Sequence, residues 1–318
     1  GVGSVDLDGH ARVVGTVDMG AYESGSSATP GTPTTPTQPG TPTTPTEPTT
    51  PTQPSSGSGT PTTPTQPTEP TTQPTTPTTS TKVYTGTDGN DYLPHTGQSN
   101  GGNETYKGLG GNDVLKGGAG ADVLDGGSGR DTASYEGSGA VHVNLATGAA
   151  SGGHATGDKF ISIENLTGSS YNDVLTGDSG RNVLHGGAGA DVITGGAGKD
   201  IMTGGASSDT FVFKTPTETG SGWNRDVITD FQHGIDKIDL SAIDANGSAA
   251  GNGTFHFQAQ ENALFDHKAG ALAWHYDDHA GSASDATVIQ ADMNGDGIHD
   301  FEVQLKGLVH LGAGDFLL

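Results

Sequence analysis

The sequence contains no cysteine, only 6% aromatic residues and 30% hydrophobic residues. The absence of cysteine excludes disulfide bonds and thiolate metal sites. The small apolar share is far below that of ordinary globular domains, so the chain cannot bury a large apolar core. We therefore expect part of it to be disordered and the rest to be held together by something other than apolar burial.

Positive charge is also scarce in the sequence. There are 13 Lys and Arg residues against 37 Asp and Glu residues, which gives a formal net charge of -24. Nucleic-acid binding needs clustered cations, so this balance excludes a nucleic acid as partner. No apolar run is long enough to span a bilayer. The excess of acids opposes a compact state unless cations bind, and a divalent metal ion is the expected one.

Residues 28–81 consist almost wholly of Thr, Pro, Gln, Ser, Gly and Glu in a repeating T-P-T-T-P pattern. Proline lacks a hydrogen-bond donor and fixes φ, so this segment is predicted to be a disordered, extended linker. Both an unmodified tether and a stalk glycosylated on its threonines fit the composition, and we favour the tether.

Residues 1–27 are too few to fold alone. Within them, residues 1–24 resemble the closing coil of right-handed parallel β-helix proteins, with the pattern D-x-D-G…R…G…V-D-x-G-A-Y-E. The resemblance implies a domain upstream of Gly1, and many such β-helices act on polysaccharides. The alternative is a Gly- and Asp-rich tail. The matching residues are Asp6, Asp8, Gly9, Arg12, Gly15, Val17, Asp18, Gly20, Ala21, Tyr22 and Glu23.

A nine-residue repeat dominates the sequence after the linker, with the pattern G-G-x-G-x-D-x-U-x, in which U is a large apolar residue. Three units occupy residues 108–134, five occupy residues 168–212, and an outlying copy lies at 86–94. A degenerate copy at 99–107 has Glu104 in place of the aspartate. A flexible Gly-rich linker would not keep an aspartate at position six and an apolar residue two places later.

The repeat supplies the ligands that calcium prefers. Glycine permits positive φ and brings main-chain carbonyl groups close to an ion, and the position-six aspartate supplies a hard carboxylate oxygen. The residues x-U-x form a short strand whose U side chain points inward. The expected inward residues are Leu115, Leu124, Leu175, Leu184, Ile193, Met202 and Phe211. The candidate calcium-binding residues are Asp91, Gly108, Gly110, Asp113, Gly117, Asp122, Gly126, Asp131, Asp173, Gly186, Asp191, Gly195, Asp200 and Asp209.

This pattern is identified as that of the repeats-in-toxin (RTX) haemolysin-type calcium-binding proteins. The resemblance implies an all-β fold, a parallel β-roll in which two repeats make one coil and several calcium ions lie between loops of adjacent coils. Three positions depart from the pattern. Asn182 replaces the aspartate, Ala133 replaces the large apolar residue, and Ser207–Ser208 stand where the repeat has a glycine. Sites that touch these positions are expected to be weaker or empty.

Residues 135–167 separate the two arrays, so the predicted roll of residues 82–212 contains an insert. Apolar and polar residues alternate at 141–145 and at 161–163, which predicts strand pairs. Similar insertions, with V-x-V-N-L and I-E-N-L-x-G segments, occur between arrays in the RTX family.

Residues 213–318 change from period nine to period two. The segment D-F-x-x-G-x-D-K-I-D-L-S at 230–241 resembles the C-terminal domain of serralysin-type metalloproteases. The chain ends on Asp315-Phe316-Leu317-Leu318, which is similar to the uncleaved C-terminal signal of type I secretion substrates. These resemblances imply a β-rich domain, the type I secretion apparatus as a partner, and an extracellular or cell-surface location.

Two other groups of residues suggest metal sites. Asp292, Asn294 and Asp296 match the start of an EF-hand calcium loop, but the bidentate glutamate and the flanking helices are missing. The Asn-Gly step there favours a hairpin turn, and calcium binding is left open. His275 and His279 have the spacing of helical zinc motifs, yet a strand would place them about 13 Å apart, so we reject zinc.

Three functions fit the sequence. The first is a calcium-binding module that is unfolded in the low-calcium cytosol, folds outside the cell and carries an upstream domain. The second is the C-terminal part of a secreted polysaccharide-active enzyme (a lyase, hydrolase or epimerase) that would meet extracellular polysaccharide through its upstream domain. In that case the active site lies upstream of Gly1, because this chain contains no catalytic motif. The third is a surface adhesin with the linker as its stalk.

Overall fold

The computed structural model describes residues 82–98, 100–246, 253–277 and 284–318. The predictions for residues 1–81 and for His279 lie outside these described residues. Where it is described, the chain forms short β-strands joined by glycine-rich loops, with single-turn 3-10 helices at Gly153–Ala155, Gly222–Asn224 and Ala313–Asp315. No helix among the described residues has the length and apolar character needed to cross a bilayer.

Among the described residues, fifteen strands precede residue 213 and seven follow it. The first fifteen are β1 Lys82–Thr85, β2 Tyr92–Leu93, β3 Glu104–Gly110, β4 Val114–Leu115, β5 Val123–Ser128, β6 Thr132–Ser134, β7 His142–Asn144, β8 Ala149–Ser151, β9 Lys159–Ile161, β10 Asn165–Thr167, β11 Val174–Thr176, β12 Val183–Ala188, β13 Val192–Thr194, β14 Ile201–Ala206 and β15 Thr210–Val212. The last seven are β16 Asp226–Ile228, β17 Lys237–Asp239, β18 His256–Phe257, β19 Ala271–Asp277, β20 Ala286–Asp292, β21 Phe301–Lys306 and β22 Phe316–Leu317.

These strands build three sheets of an all-β parallel roll. An eleven-stranded sheet has the order β18-β19-β20-β21-β16-β14-β12-β10-β6-β4-β2, a seven-stranded sheet has the order β22-β17-β15-β13-β11-β7-β8, and a four-stranded sheet has the order β1-β3-β5-β9. Successive repeats place their strands alternately in the eleven-stranded sheet and in one of the other two. Two repeats therefore make one coil, as predicted.

The U residues of adjacent coils stack directly on one another. Leu184, for example, pairs with Leu166 of the preceding coil and with Met202 of the following one. All seven predicted inward side chains are completely buried. Ala133, which replaces a large apolar residue, is also buried in the same column, where it pairs with Leu115 and Leu166. The core of the roll is thus a stack of single apolar side chains, which explains how so little apolar sequence is enough.

The insert at 135–167 contributes strands to the roll. β9 pairs with β5, and β10 lies between β6 and β12, so the eleven-stranded sheet continues from the first array into the second. β7 pairs with β11 and with antiparallel β8. The strand expected around 161–163 is displaced to Lys159–Ile161 and turns Phe160 toward the core instead of Ile161, because Phe160 aligns with buried Leu124.

The strands after residue 213 extend the same sheets. β16 continues the eleven-stranded sheet from β14, and β17 continues the seven-stranded sheet from β15. β20 and β21 form the predicted hairpin, although its connecting loop at 293–300 is longer than a two-residue Asn-Gly turn. The terminal strand β22 pairs with β17 through Phe316 and Ile238.

Truncating a stacked U residue should destabilise the roll strongly. Leu184→Ala removes a fully buried side chain between two others, and such changes cost about 2–5 kcal/mol. The matched control is His185→Ala in the same strand, whose exposed side chain is expected to change the free energy of unfolding by less than about 0.5 kcal/mol. Chemical denaturation at saturating calcium measures both. Equal unfolding midpoints for the two variants would contradict the stacked core.

Candidate metal sites

The position-six residues stack in two rows. The first row precedes the strands of the eleven-stranded sheet and comprises Asp91, Asp113, Asp131, Glu164, Asn182, Asp200 and Asp226. The second row precedes the strands of the other two sheets and comprises Glu104, Asp122, Asp158, Asp173, Asp191, Asp209 and Asp236.

Hydrogen bonds connect most neighbouring members of each row from one coil to the next. The main-chain N–H of Asp113 donates to Oδ1 of Asp131 at 2.7 Å, and that of Asp191 donates to Oδ1 of Asp209 at 2.9 Å. Both pairs are 18 residues apart, the length of two repeats. One oxygen of each of these carboxylates is therefore used to hold adjacent coils in register.

The second carboxylate oxygen is buried without a hydrogen-bond partner at eight positions. A buried, unpaired carboxylate oxygen is strongly unfavourable, and a coordinating cation removes that penalty. Calcium accepts such oxygens together with main-chain carbonyls. The eight atoms are Oε2 of Glu104 and Oδ2 of Asp113, Asp122, Asp131, Asp191, Asp200, Asp209 and Asp226.

A glycine at position one makes room beside six of these oxygens, those of Asp113, Asp122, Asp131, Asp191, Asp200 and Asp209. A β-carbon on Gly186 would press against Oδ2 of Asp191 and lie 2.6 Å from the carbonyl oxygen of Gly204, in the next coil. The equivalent atom on Gly117 would lie 2.6 Å from Oδ2 of Asp122. A carboxylate and a carbonyl from adjacent coils thus face the same space, which only glycine leaves open. This donor set fits calcium.

The other glycines proposed as site residues fall into two groups. Gly108, Gly126 and Gly195 also lie beside a position-six carboxylate oxygen. Gly110 does not, since a β-carbon there would meet Ser128 Oγ at 3.4 Å. The structure therefore brings Gly108 together with Asp113 and leaves Gly110 apart.

Burial raises the pKa of five of these aspartates well above 3.8. The pKa rises to about 8 for Asp122 and Asp226, to about 7 for Asp191 and Asp200, and to about 6 for Asp209. Loss of solvation is the largest cause in each case, and neighbouring carboxylates add to it for most of them, as Asp158 does for Asp122. Near neutral pH the carboxyl groups of the metal-free sites are either protonated or carry uncompensated negative charge. A divalent cation can replace the protons or compensate the charge.

Three predicted positions have no unpaired oxygen. Oδ2 of Asp91 accepts from the N–H of Thr87 at 2.6 Å, and Oδ2 of Asp173 accepts from the N–H of Ser169 at 2.5 Å. At Asn182, the amide Nδ2 donates to the carbonyl oxygen of Glu164 at 2.6 Å. The amide hydrogens of Asn182 thus supply positive charge within the first row, which supports the expectation of a weak or empty site there.

The loop between β20 and β21 satisfies its own carboxylates. Asp292 accepts from the N–H groups of Gly295 and Gly297, and Asp300 accepts from the N–H of Met293 at 2.8 Å. These hydrogen bonds stabilise the loop that connects the two strands of the hairpin.

The sequence matches two family models. The model described as Peptidase M10 serralysin C terminal matches residues 123–318. The chain belongs to this family. The model of the RTX calcium-binding nonapeptide repeat (4 copies) matches residues 98–133, so the chain carries calcium-binding RTX repeats. No curated protein sequence matches the chain.

Two solved structures from the mannuronan C5-epimerase of Azotobacter vinelandii are similar to parts of the chain. The AlgE6R3 subunit is 28% identical, with 48% of this chain and 76% of that chain covered and a TM-score of 0.34. The AlgE6R2 subunit is 24% identical, with 60% of this chain and 92% of that chain covered and a TM-score of 0.30.

Four further acids join the rows of this serralysin-family chain without having been proposed from its sequence. Asp158 and Glu164 lie in the insert, and Asp226 and Asp236 lie after residue 213. Their loops lack the glycine pattern that identified the others. Each nevertheless keeps an acid two residues before an inward apolar side chain, as in D-K-F-I at 158–161 and D-K-I-D at 236–239, and this shorter pattern could have found them.

At several RTX sites one carboxylate faces a main-chain carbonyl of the next coil. In the part of the chain that the structure describes, no three His, Asp or Glu side chains gather around one point. This follows from the repeat, because each coil brings one acid side chain per row and the main chain supplies the other oxygens.

Calcium affinity should fall as the pH drops from about 8 to about 6. In the metal-free fold the raised pKa values mean that protons occupy the carboxyl groups over this range, so calcium must displace them. For the same reason the calcium-free fold is most stable at low pH and loses stability as the pH rises through these values. Isothermal titration in buffers of different ionisation enthalpy measures both the affinity and the protons released. A pH-independent affinity without proton release would contradict this account.

Proposed function

We propose that residues 82–318 are a calcium-dependent folding module that is exported unfolded by a type I secretion apparatus, folds on extracellular calcium and carries an upstream domain. The observation that supports it best is the series of buried, unpaired carboxylate oxygens in the two rows. They make the metal-free fold unfavourable, so folding follows the calcium concentration. The low calcium of a cytosol and the higher calcium outside a cell would then set where the roll forms.

The position of the chain terminus supports the link to export. Asp315 is completely buried, where it accepts from the N–H of Gly234 at 2.9 Å and pairs with His233 Nδ1 at 2.7 Å. Phe316 is buried in β22. A secretion signal in Asp315–Leu318 would be fully accessible in the unfolded chain, whereas folding buries its first two residues, so export would precede folding.

Removing calcium should unfold the roll. The full chain in EDTA is expected to lose most of its β-sheet circular dichroism signal, and calcium is expected to restore it. Magnesium at the same concentration is the control, because its demand for compact octahedral coordination suits these sites poorly. A β-rich spectrum that EDTA leaves unchanged would contradict calcium-dependent folding.

Deleting Asp315–Leu318 should leave the protein inside the cell while its calcium binding in vitro persists. The signal would be lost, but the carboxylate rows belong to other strands. Leu308→Ala, a change at an exposed side chain near the same end, is the control and should be exported normally. Fractionation of a secretion-competent host measures the outcome, and normal export of the truncated chain would refute the signal assignment.

We propose further that the upstream domain acts on extracellular polysaccharide. This rests on the resemblance of residues 1–24 to a β-helix coil, and an adhesin with the linker as its stalk is the alternative. The sequence encoded upstream of Gly1 distinguishes them, since an enzyme would show a complete β-helix with a catalytic motif. The chain itself is expected to show no turnover on polysaccharides.

A further inference from the structure

Repeat loops in which position two has positive φ leave their position-six aspartate with an unpaired oxygen. We call these open loops. Leu109, for example, has φ 80° and Gly187 has φ 115°, and Oδ2 of Asp113 and of Asp191 is unpaired. The same holds for every aspartate with a buried unpaired oxygen. The position-two residues of the open loops are Leu109, Gly118, Gly127, Gly187, Gly196, Gly205 and Gly222.

Four other loops use position two differently. Their position-two N–H donates to the position-six side chain, as in Thr87 to Asp91 at 2.6 Å and Gln232 to Asp236 at 2.7 Å. No position-two residue of this group has positive φ. We call these self-capped loops, and their position-two residues are Thr87, Ser169, Asp178 and Gln232.

Side-chain chemistry at position two accounts for the difference. In three self-capped loops the position-two side chain accepts from the N–H of position four: Gly89 donates to Thr87, Tyr171 to Ser169 and Gly180 to Asp178. Ser, Thr and Asp favour this local turn, and a β-branched Thr seldom adopts positive φ. Glycine has neither the side chain nor the restriction.

Self-capped loops lie where runs of open loops begin or end. The loop at 86–91 is at the start of the first row, those at 168–173 and 177–182 begin the second array, and the loop at 231–236 ends the second row. Between the arrays, the hydroxyl of Tyr135 donates to Oδ2 of Asp158 at 3.0 Å and satisfies it in a similar way. The protein's own donors thus form hydrogen bonds with most of the position-six side chains that flank the open loops.

We propose that the residue at position two decides whether an RTX loop of this chain takes up calcium. Open loops bind an ion, whereas self-capped loops hold their carboxylate with an N–H group and remain in place without one. This inference rests on the proposed calcium function and deepens it, because it assigns ions to the loops of Asp113, Asp122, Asp131, Asp191, Asp200, Asp209 and Asp226 and none to those of Asp91, Asp173, Asn182 and Asp236.

Leu109 allows the proposal to be tested without disturbing the core, because its side chain is 46% exposed. In the full chain, Leu109→Thr is expected to convert an open loop into a self-capped one and to remove about one bound calcium ion per chain. Leu109→Gly at the same position keeps positive φ accessible and is expected to bind as many ions as the wild type. Equilibrium dialysis with metal analysis counts the ions, and near-ultraviolet circular dichroism checks that each variant folds in calcium.

The reverse experiment opens a self-capped loop. Ser169→Gly removes the turn-forming hydroxyl and is expected to add about one calcium ion per chain. Ser170→Gly makes the same chemical change at the next, exposed position and is expected to add none.

The outcomes separate this proposal from the calcium function itself. A wild-type chain that binds no calcium overturns both. A wild-type chain that binds calcium, with the same number of ions bound by the Thr and Gly variants of Leu109 and by the Gly variants of Ser169 and Ser170, overturns the role of position two alone.

Discussion

Burial of carboxylates in two rows is the constraint on which the rest of this structure depends. Each coil uses one oxygen of an aspartate to hold the next coil in register and leaves the other buried and, in most loops, unpaired. Each repeat contributes only one large apolar side chain to the core of the roll, so the core cannot by itself compensate for many buried charges. A cation between adjacent coils satisfies the carboxylates and ties the coils together. Under the proposed function, metal binding and folding are one event.

From the sequence alone, the excess of acidic residues predicts electrostatic self-repulsion. In the structure, many of these residues lie in the two rows. Raised pKa values mark carboxyl groups that lose much of their solvation, and Asp122 and Asp226, in different rows, have the highest of the values given above. The C-terminal residues depend on the same coils, because β22 is held by β17, which follows Asp236 directly. A chain that has not yet bound calcium would have no sheet on which to place its terminus.

Much of this architecture could be predicted from the spacing of residues. The nine-residue repeat predicts all seven inward side chains correctly. The apolar residue follows the aspartate by two positions whatever conformation the preceding loop adopts. The loops themselves were harder to predict. Asp91 matches the repeat as well as Asp113 does, yet only Asp113 of the two keeps an unpaired oxygen, because the φ of the residue four places earlier differs. The row acids of the insert and of the later coils, such as Asp158, Glu164 and Asp226, were not predicted because the loops before them do not keep the glycine spacing of the repeat. Hydrogen bonds between distant segments, such as the one from the N–H of Asp122 to Asp158, cannot be predicted from the local sequence.

The most direct test of the account is a crystal structure of the chain grown in calcium, with data collected for anomalous scattering. Peaks are expected about 2.4 Å from the unpaired oxygens of Asp113, Asp122, Asp131, Asp191, Asp200, Asp209 and Asp226. An ordered roll with water, or with no density, beside these oxygens would contradict the claim that calcium compensates the buried carboxylates.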